Sequence, residues 1–120
     1  MKSKRINLYD PVKIKKVNSE TMDIMKRYKV DMCMRNLSPA TIEAYESDLK
    51  AWFIYVLDNQ GNKSVRNLTD DDITEFLYLC KCEGNNSERI RRRLSSIGAF
   101  YKFMRKKKLI VENPTPAVCA

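Results

Sequence analysis

The residues of this 120-residue chain that could do chemistry are four cysteines, three adjacent aspartates, two tyrosines on apolar stripes and a dense run of arginines. The cysteines are Cys33, Cys80, Cys82 and Cys119. A metal site would draw on all four, yet the close pair is Cys-x-Cys, and on a helix those side chains point to nearly opposite sides. A disulfide framework needs an oxidising compartment. The favoured reading is therefore small apolar fillers plus one cysteine in the tail. The sequence has no histidine, which excludes Ser-His and Cys-His nucleophile pairs and His-bearing zinc sites. Asp70, Asp71 and Asp72 could gather a cation. They also follow Thr69, and acids at a helix start complement the positive end of its dipole, which explains them with less machinery. Tyr45 and Tyr101 fall on apolar stripes and read as core. Gly61, Gly84 and Gly98 are scattered and make no phosphate loop. No cofactor, metal or small-molecule substrate is implied.

The arginines remain, and they are part of a wider segregation of charge. Lys and Arg number 23 against 15 Asp and Glu, a net charge of +8. Residues 1–17 hold six basic residues and one acid. Residues 89–108 hold nine basic residues and no acid, while the rest of the chain is net acidic. Nine like charges in one short segment repel each other, and a helix without a partner would usually intersperse glutamates. Such clustering is the electrostatic footprint of a polyanion binder.

Helices must position these charges. Residues 1–17 show no clean period, and with Pro11 they read as a basic, flexible arm. Asn18 or Ser19 opens a helix over 19–36, in which Ile24, Met25, Tyr28 and Met32 recur at helical spacing. It ends at Asn36, a residue that tolerates the left-handed conformation. Ser38-Pro39 is the sharpest start signal, a capping hydroxyl followed by proline at the first helical position. Ile42, Tyr45, Leu49, Trp52, Phe53 and Val56 then mark one face of a helix over 39–58. Its other face, Thr41, Ala44, Asp48 and Ala51, is small and polar, open to close approach. Residues 60–67 read as a loop, and Thr69 opens a short helix over 70–82. Ser87 is the N-cap candidate of the last helix, 88–107. There Ile90, Leu94, Ile97, Tyr101 and Met104 form one stripe, with Arg89, Arg92, Arg93 and Ser96 as a second stripe beside it, its arginines read as exposed. Gly98 weakens the middle by about 1 kcal/mol relative to Ala, and close packing would explain it. No strand or internal repeat is visible. The expected fold is all-α, a four-helix bundle over 18–113 between the arm and a linker at 114–120. No apolar run approaches the roughly 18 residues of a membrane span, and no apolar segment follows the basic N-terminus as in a signal peptide. A cytoplasmic location with no membrane partner is expected.

Three blocks of sequence resemble the core-binding domain of tyrosine recombinases, the phage-integrase family. They are Leu37-Ser38-Pro39-x-Thr41-x-x-x-Tyr45-x-x-Asp48-Leu49, Leu68-Thr69-x-x-Asp72-Ile73-x-x-Phe76-Leu77, and Ile90-x-Arg92-Arg93-Leu94-Ser95-x-Ile97-x-x-Phe100-Tyr101-x-Phe103 followed by Leu109-Ile110-x-x-Asn113-Pro114. Their order and spacing match over about residues 22–117. Asn36 stands where the family often has glycine, and Gly98 where a basic residue is common. The resemblance implies a SAM-like orthogonal bundle that clamps one face of duplex DNA with its second and fourth helices. The DNA-contact set then comprises Ser38 and Thr41 on the second helix, with Ser87, Arg89, Arg92, Arg93 and Ser96 on the fourth. Substituting Arg92 or Arg93 should weaken binding without unfolding the domain. It implies as partners double-stranded DNA, a catalytic domain of the same parent chain and other protomers assembled on DNA. Strand cleavage would belong to that catalytic domain, with its histidines and nucleophilic tyrosine, so this chain should not cut DNA by itself.

Two other readings of the same residues stand beside it. A helical interaction module could bind an acidic protein through the basic last helix. A transcription regulator could use the turn Glu83-Gly84-Asn85-Asn86 in a helix-turn-helix and read bases through residues 88–93.

Overall fold

The computed structural model describes residues 10–118, and within them the chain forms five α-helices and two short 3-10 turns. The helices are α1 (Pro11–Lys16), α2 (Ser19–Met34), α3 (Pro39–Asn59), α4 (Asp70–Cys82) and α5 (Ser87–Lys106). The 3-10 turns are Val65–Asn67 and Thr115–Ala117. No strand is present among the described residues. The four main helices agree with the sequence periodicity to within two residues at each end.

Local signals account for each boundary. Ser38 caps α3 by accepting the Thr41 N–H at 3.1 Å, with Pro39 at the first position. Asn36 adopts φ 60° between α2 and α3, the left-handed turn that suits asparagine. Thr69 and Asp72 complete a reciprocal capping box at α4: Thr69 N–H donates to Asp72 Oδ2 at 2.9 Å, and Asp72 N–H to Thr69 Oγ1 at 3.3 Å. The aspartates thus serve the helix start.

Three expectations are corrected. The arm reading fails over 11–16, which is helical. Asp10 caps α1 by accepting from Val12 and Lys13 N–H groups, Pro11 takes the first position, and Lys13 pairs with Asp58 of α3 at 2.6 Å. Residues 1–9, the rest of that arm, lie outside the described residues. Second, the N-cap of α5 is Asn86, whose Oδ1 accepts the Arg89 N–H at 2.8 Å; Ser87 is the first helical residue. Third, the linker expectation begins too early, because Thr115–Ala117 packs on α4 and α5 and Val118 is buried. Thr115 also explains Gly98: a β-carbon there would sit 3.2 Å from the Thr115 Cγ2.

The core lies where α3 meets α5. Trp52 is fully buried, its ring centroid 5.5 Å from Tyr101 and 6.4 Å from Phe100. Phe100 meets Tyr28 of α2 edge-on at 5.3 Å, and Tyr55 of α3 meets Phe76 of α4 at 5.3 Å. Aromatic contacts therefore link all four main helices, each contributing about 0.5–1.5 kcal/mol beyond its buried area. The loop after α3 is held by side chains. Tyr101 Oη donates to the Val65 carbonyl at 2.8 Å, and Thr21 Oγ1 accepts the Val65 N–H at 3.1 Å. Both backbone groups of this buried residue are satisfied, as burial requires.

Two predictions follow from this core. Trp52→Ala lowers the unfolding free energy by about 3–5 kcal/mol, read from urea denaturation. Burial pushes the Tyr28 phenol up from 10.0 to about 12 and raises Tyr101 as well. Their unfolded forms ionise first, so the stability they contribute is full below about pH 10 and is lost as pH rises towards the folded value. Melting temperatures recorded against pH should fall on the alkaline side of pH 10.

Candidate nucleic-acid interface

Packing α3 against α5 brings the N-terminal turns of α3 beside the exposed side of α5. Between them lies a cleft of about 340 Å³, lined by Ala40, Thr41, Ala44, Tyr45, Asp48, Arg92, Ser95 and Ser96. The first turn of α3 carries no acid; Pro39 has no N–H, and the Thr41 and Ile42 N–H groups donate to the Ser38 hydroxyl and carbonyl oxygens, which leaves the Ala40 N–H and the helix dipole to attract an anion. Ser38 Oγ–H donates to Thr41 Oγ1 at 2.8 Å while its oxygen accepts the Thr41 N–H. Ser38 is thereby engaged in capping. Thr41, exposed, keeps its own hydroxyl proton to offer to an acceptor.

The expected contact set divides in this geometry. Thr41, Arg92 and Ser87 are exposed, and Arg89 is half-buried. Arg93 is buried, against the reading that exposes it, and Ser96 is buried too. Arg93 shares the inward face with Ile97, Phe100 and Met104, which follow it at steps of 4, 3 and 4. Its Nε donates to Asn85 Oδ1 at 3.3 Å, and its guanidinium sits 5.9 Å from the centre of the Phe76 ring. Burial pulls its pKa below the ordinary arginine value, opposed by Cys80 and Asp48. Arg93 thus ties the α4–α5 turn to the core. Ser96 Oγ donates to Asp48 Oδ2 at 2.7 Å, and both residues are 2% exposed. Arg92 Nε faces the same carboxylate at 3.7 Å. The small, polar face of α3 is thus approached closely by α5 itself.

The structure adds residues that the sequence reading left out. A second cleft, of about 500 Å³, lies between α2 and α5 and is lined by Tyr28, Asp31, Arg35, Ala99, Lys102, Phe103 and Lys106. Arg92, Ser95, Ala99, Lys102 and Lys106 span an arc of roughly 80° at 100° per residue. This face of α5 therefore carries Arg92 near its start and Lys102 and Lys106 near its end, with Arg35, the C-cap of α2 paired to Asp31 at 2.9 Å, at its flank. The helical wheel held that signal for α5. The approach of Arg35 needed the tertiary fold.

Cys33 and Cys82 are exposed and Cys80 is buried, which raises its thiol pKa. Cys119 lies outside the described residues. Among the described residues, no three His, Cys, Asp or Glu side chains gather as metal ligands, and no helix is long and apolar enough to cross a membrane.

The fold and this face define a small all-α bundle with a cationic helix set beside an acid-free helix start. Residues 26–108 match the family model for the phage integrase N-terminal SAM-like domain, and the chain belongs to that family. Among its relatives are tyrosine recombinase XerD of Halalkalibacterium halodurans, 31% identical over 99 residues, covering 82% of this chain and 32% of that protein. A putative tyrosine recombinase of Caldanaerobacter subterraneus, TTE1313, is 31% identical over 104 residues, covering 87% of this chain and 33% of the relative. XerC of Bacillus licheniformis is 33% identical over 82 residues, 67% of this chain and 26% of its own length. The chain spans about a third of the length of the first two relatives. No solved structure matches it.

The two adjacent arginines should separate in a denaturation experiment. Arg93→Ala removes a buried hydrogen bond and the packing on Phe76, and should lower stability by about 1–3 kcal/mol. Exposed Arg91→Ala should stay within about 0.5 kcal/mol of the unsubstituted protein. Equal midpoints for the two variants would contradict the burial of Arg93.

Proposed function

We propose that this chain is the duplex-DNA-binding domain of a tyrosine recombinase, the part that grips the recombination site while a catalytic domain elsewhere in the parent protein cuts and rejoins strands. The carrying observation is the α3–α5 cleft, where Arg92, the exposed Thr41 hydroxyl and the acid-free first turn of α3 come together. The family membership supports the recombinase half of the reading. The DNA half rests on the charge and geometry of this face.

Thr41 and Arg92 are the proposed contacts of the cleft, with half-buried Arg89 one turn before Arg92 proposed beside them, and Lys102, Lys106 and Arg35 extending the track. Ser38 acts through the cap and Arg93 through the core. Ser87 stands exposed in the first turn of α5, but it lines a separate cleft against α4 with Tyr78, Lys81 and Arg91. Phosphate neutralisation positions the domain, and it carries no sequence information directly. Strand cleavage is assigned to the catalytic domain, and other protomers on the same DNA are the expected companions.

A fluorescence-anisotropy titration with labelled duplex DNA across a salt series tests this. Binding should weaken steeply with salt, log K falling by about 0.9 per neutralised phosphate for each unit of log salt. Arg92→Ala should reduce that slope by about one and leave the melting temperature nearly unchanged. Thr41→Ala should weaken binding too, whereas a helix-turn-helix reading through residues 88–93 expects no effect. A flat salt response, or tight capture of an acidic protein with no affinity for DNA, would refute the proposal.

A further inference from the structure

Asp48 is an acid in the middle of a surface proposed to meet a polyanion. As a contact it would repel phosphate, and as a core residue it is expensive to desolvate. Its carboxylate is nevertheless organised. Oδ2 accepts from Ser96 Oγ at 2.7 Å and faces Arg92 Nε at 3.7 Å. The Arg92 side chain is 55% exposed, against 2% for Asp48. The pair therefore joins a fixed, buried anion to a cation at the cleft mouth. It engages the Nε edge of the guanidinium, so the Nη end keeps donors for another acceptor. Thr41 and the start of α3 line the same cleft, so an anion accepted there meets three kinds of donor.

We infer that Asp48, fixed by Ser96, is a positioning residue that presents Arg92 to a DNA phosphate at the mouth of the α3–α5 cleft. This rests on the DNA-binding reading above. An arginine held in its working rotamer loses less side-chain entropy when the phosphate arrives, which tightens binding without adding a contact. The buried carboxylate thereby strengthens anion binding despite its sign.

That sign makes the inference testable. Charge alone predicts that Asp48→Asn, which removes a negative charge near the DNA, tightens binding. Positioning predicts the reverse. In the same anisotropy assay, Asp48→Asn should weaken binding by about 3–10-fold, comparably to Arg92→Ala, with the salt slope lowered by about one. The double variant Asp48→Asn/Arg92→Ala should bind no more weakly than Arg92→Ala alone, because the two act through one contact. Ser96→Ala keeps the charge and releases the carboxylate, so it should show a smaller loss of the same sign. Circular-dichroism melts establish that each variant is folded. Should Asp48→Asn fail to fold, Ser96→Ala and its double variant with Arg92→Ala carry the comparison. Asp48→Asn or Ser96→Ala binding as tightly as the unsubstituted protein, or a loss that persists in full in the Arg92→Ala background, would overturn the inference. If Arg92→Ala weakens binding and Asp48→Asn does not, positioning alone fails. If the unsubstituted protein shows no salt-dependent DNA binding, the functional reading falls and takes positioning with it.

Discussion

Everything on the cationic face depends on the packing of α3 against α5. Trp52 projects from α3 into the aromatic residues Phe100 and Tyr101 of α5, all fully or nearly fully buried. This contact sets the separation of the two helices, and with it the distance between the Thr41 turn and Arg92. The other elements brace it. Phe100 and Phe103 carry the packing to Tyr28 of α2, and Tyr55 of α3 carries it to Phe76 of α4. Thr115 closes over Gly98, where α5 has no side chain to hold it off. The face that could meet a partner is thus the outer surface of a core whose order is fixed from within.

Arg92 and Arg93 show how one residue of helical rotation divides structure from function. Arg93 is turned inward, onto the Phe76 ring and the Asn85 side chain. A cation there is tolerable because a delocalised guanidinium stacks on aromatic faces and is weakly hydrated. Asp48 also favours its charged form. Arg92 is turned outward, and only its Nε edge meets the buried carboxylate. Asp48 therefore serves both neighbours electrostatically. Its burial is compensated by the Ser96 hydrogen bond together with these cations, rather than by one ideal ion pair.

Much of this was legible before any coordinates. The Ser38-Pro39 start, the Thr69 cap with its aspartates and the stripe through Trp52 each follow from local chemistry, and the structure has them as expected. The gaps have physical causes. Asp10-Pro11 is the same kind of start signal as Ser38-Pro39, but α1 has only six residues, too few to show an apolar period, and it is held by tertiary ties such as Lys13 to Asp58. Asn85, Asn86 and Ser87 are three capping residues in succession, and the observed cap depends on backbone angles that composition does not encode. Arg93 falls on the helical wheel in a stripe with Arg89, Arg92 and Ser96, beside the apolar stripe rather than within it. Its spacing to Ile97, Phe100 and Met104 pointed inward, and periodicity was the better guide.

The pairing of Ser96 with Asp48 lay outside sequence reasoning for a different reason: the two are 48 residues apart, and the pair exists only when α5 lies across α3. Each alone reads as a polar residue on a helix. Together they form a hydrogen-bonded anchor beneath an exposed cation. A polar pair buried between helices gives the packing a specific register, since a shift along either helix would strand a carboxylate without its donor. An apolar pair of similar size could fill that space, yet it would hold no cation in place. The chemistry retained at this crossing is therefore better explained by what it does for Arg92 than by what it adds to the fold.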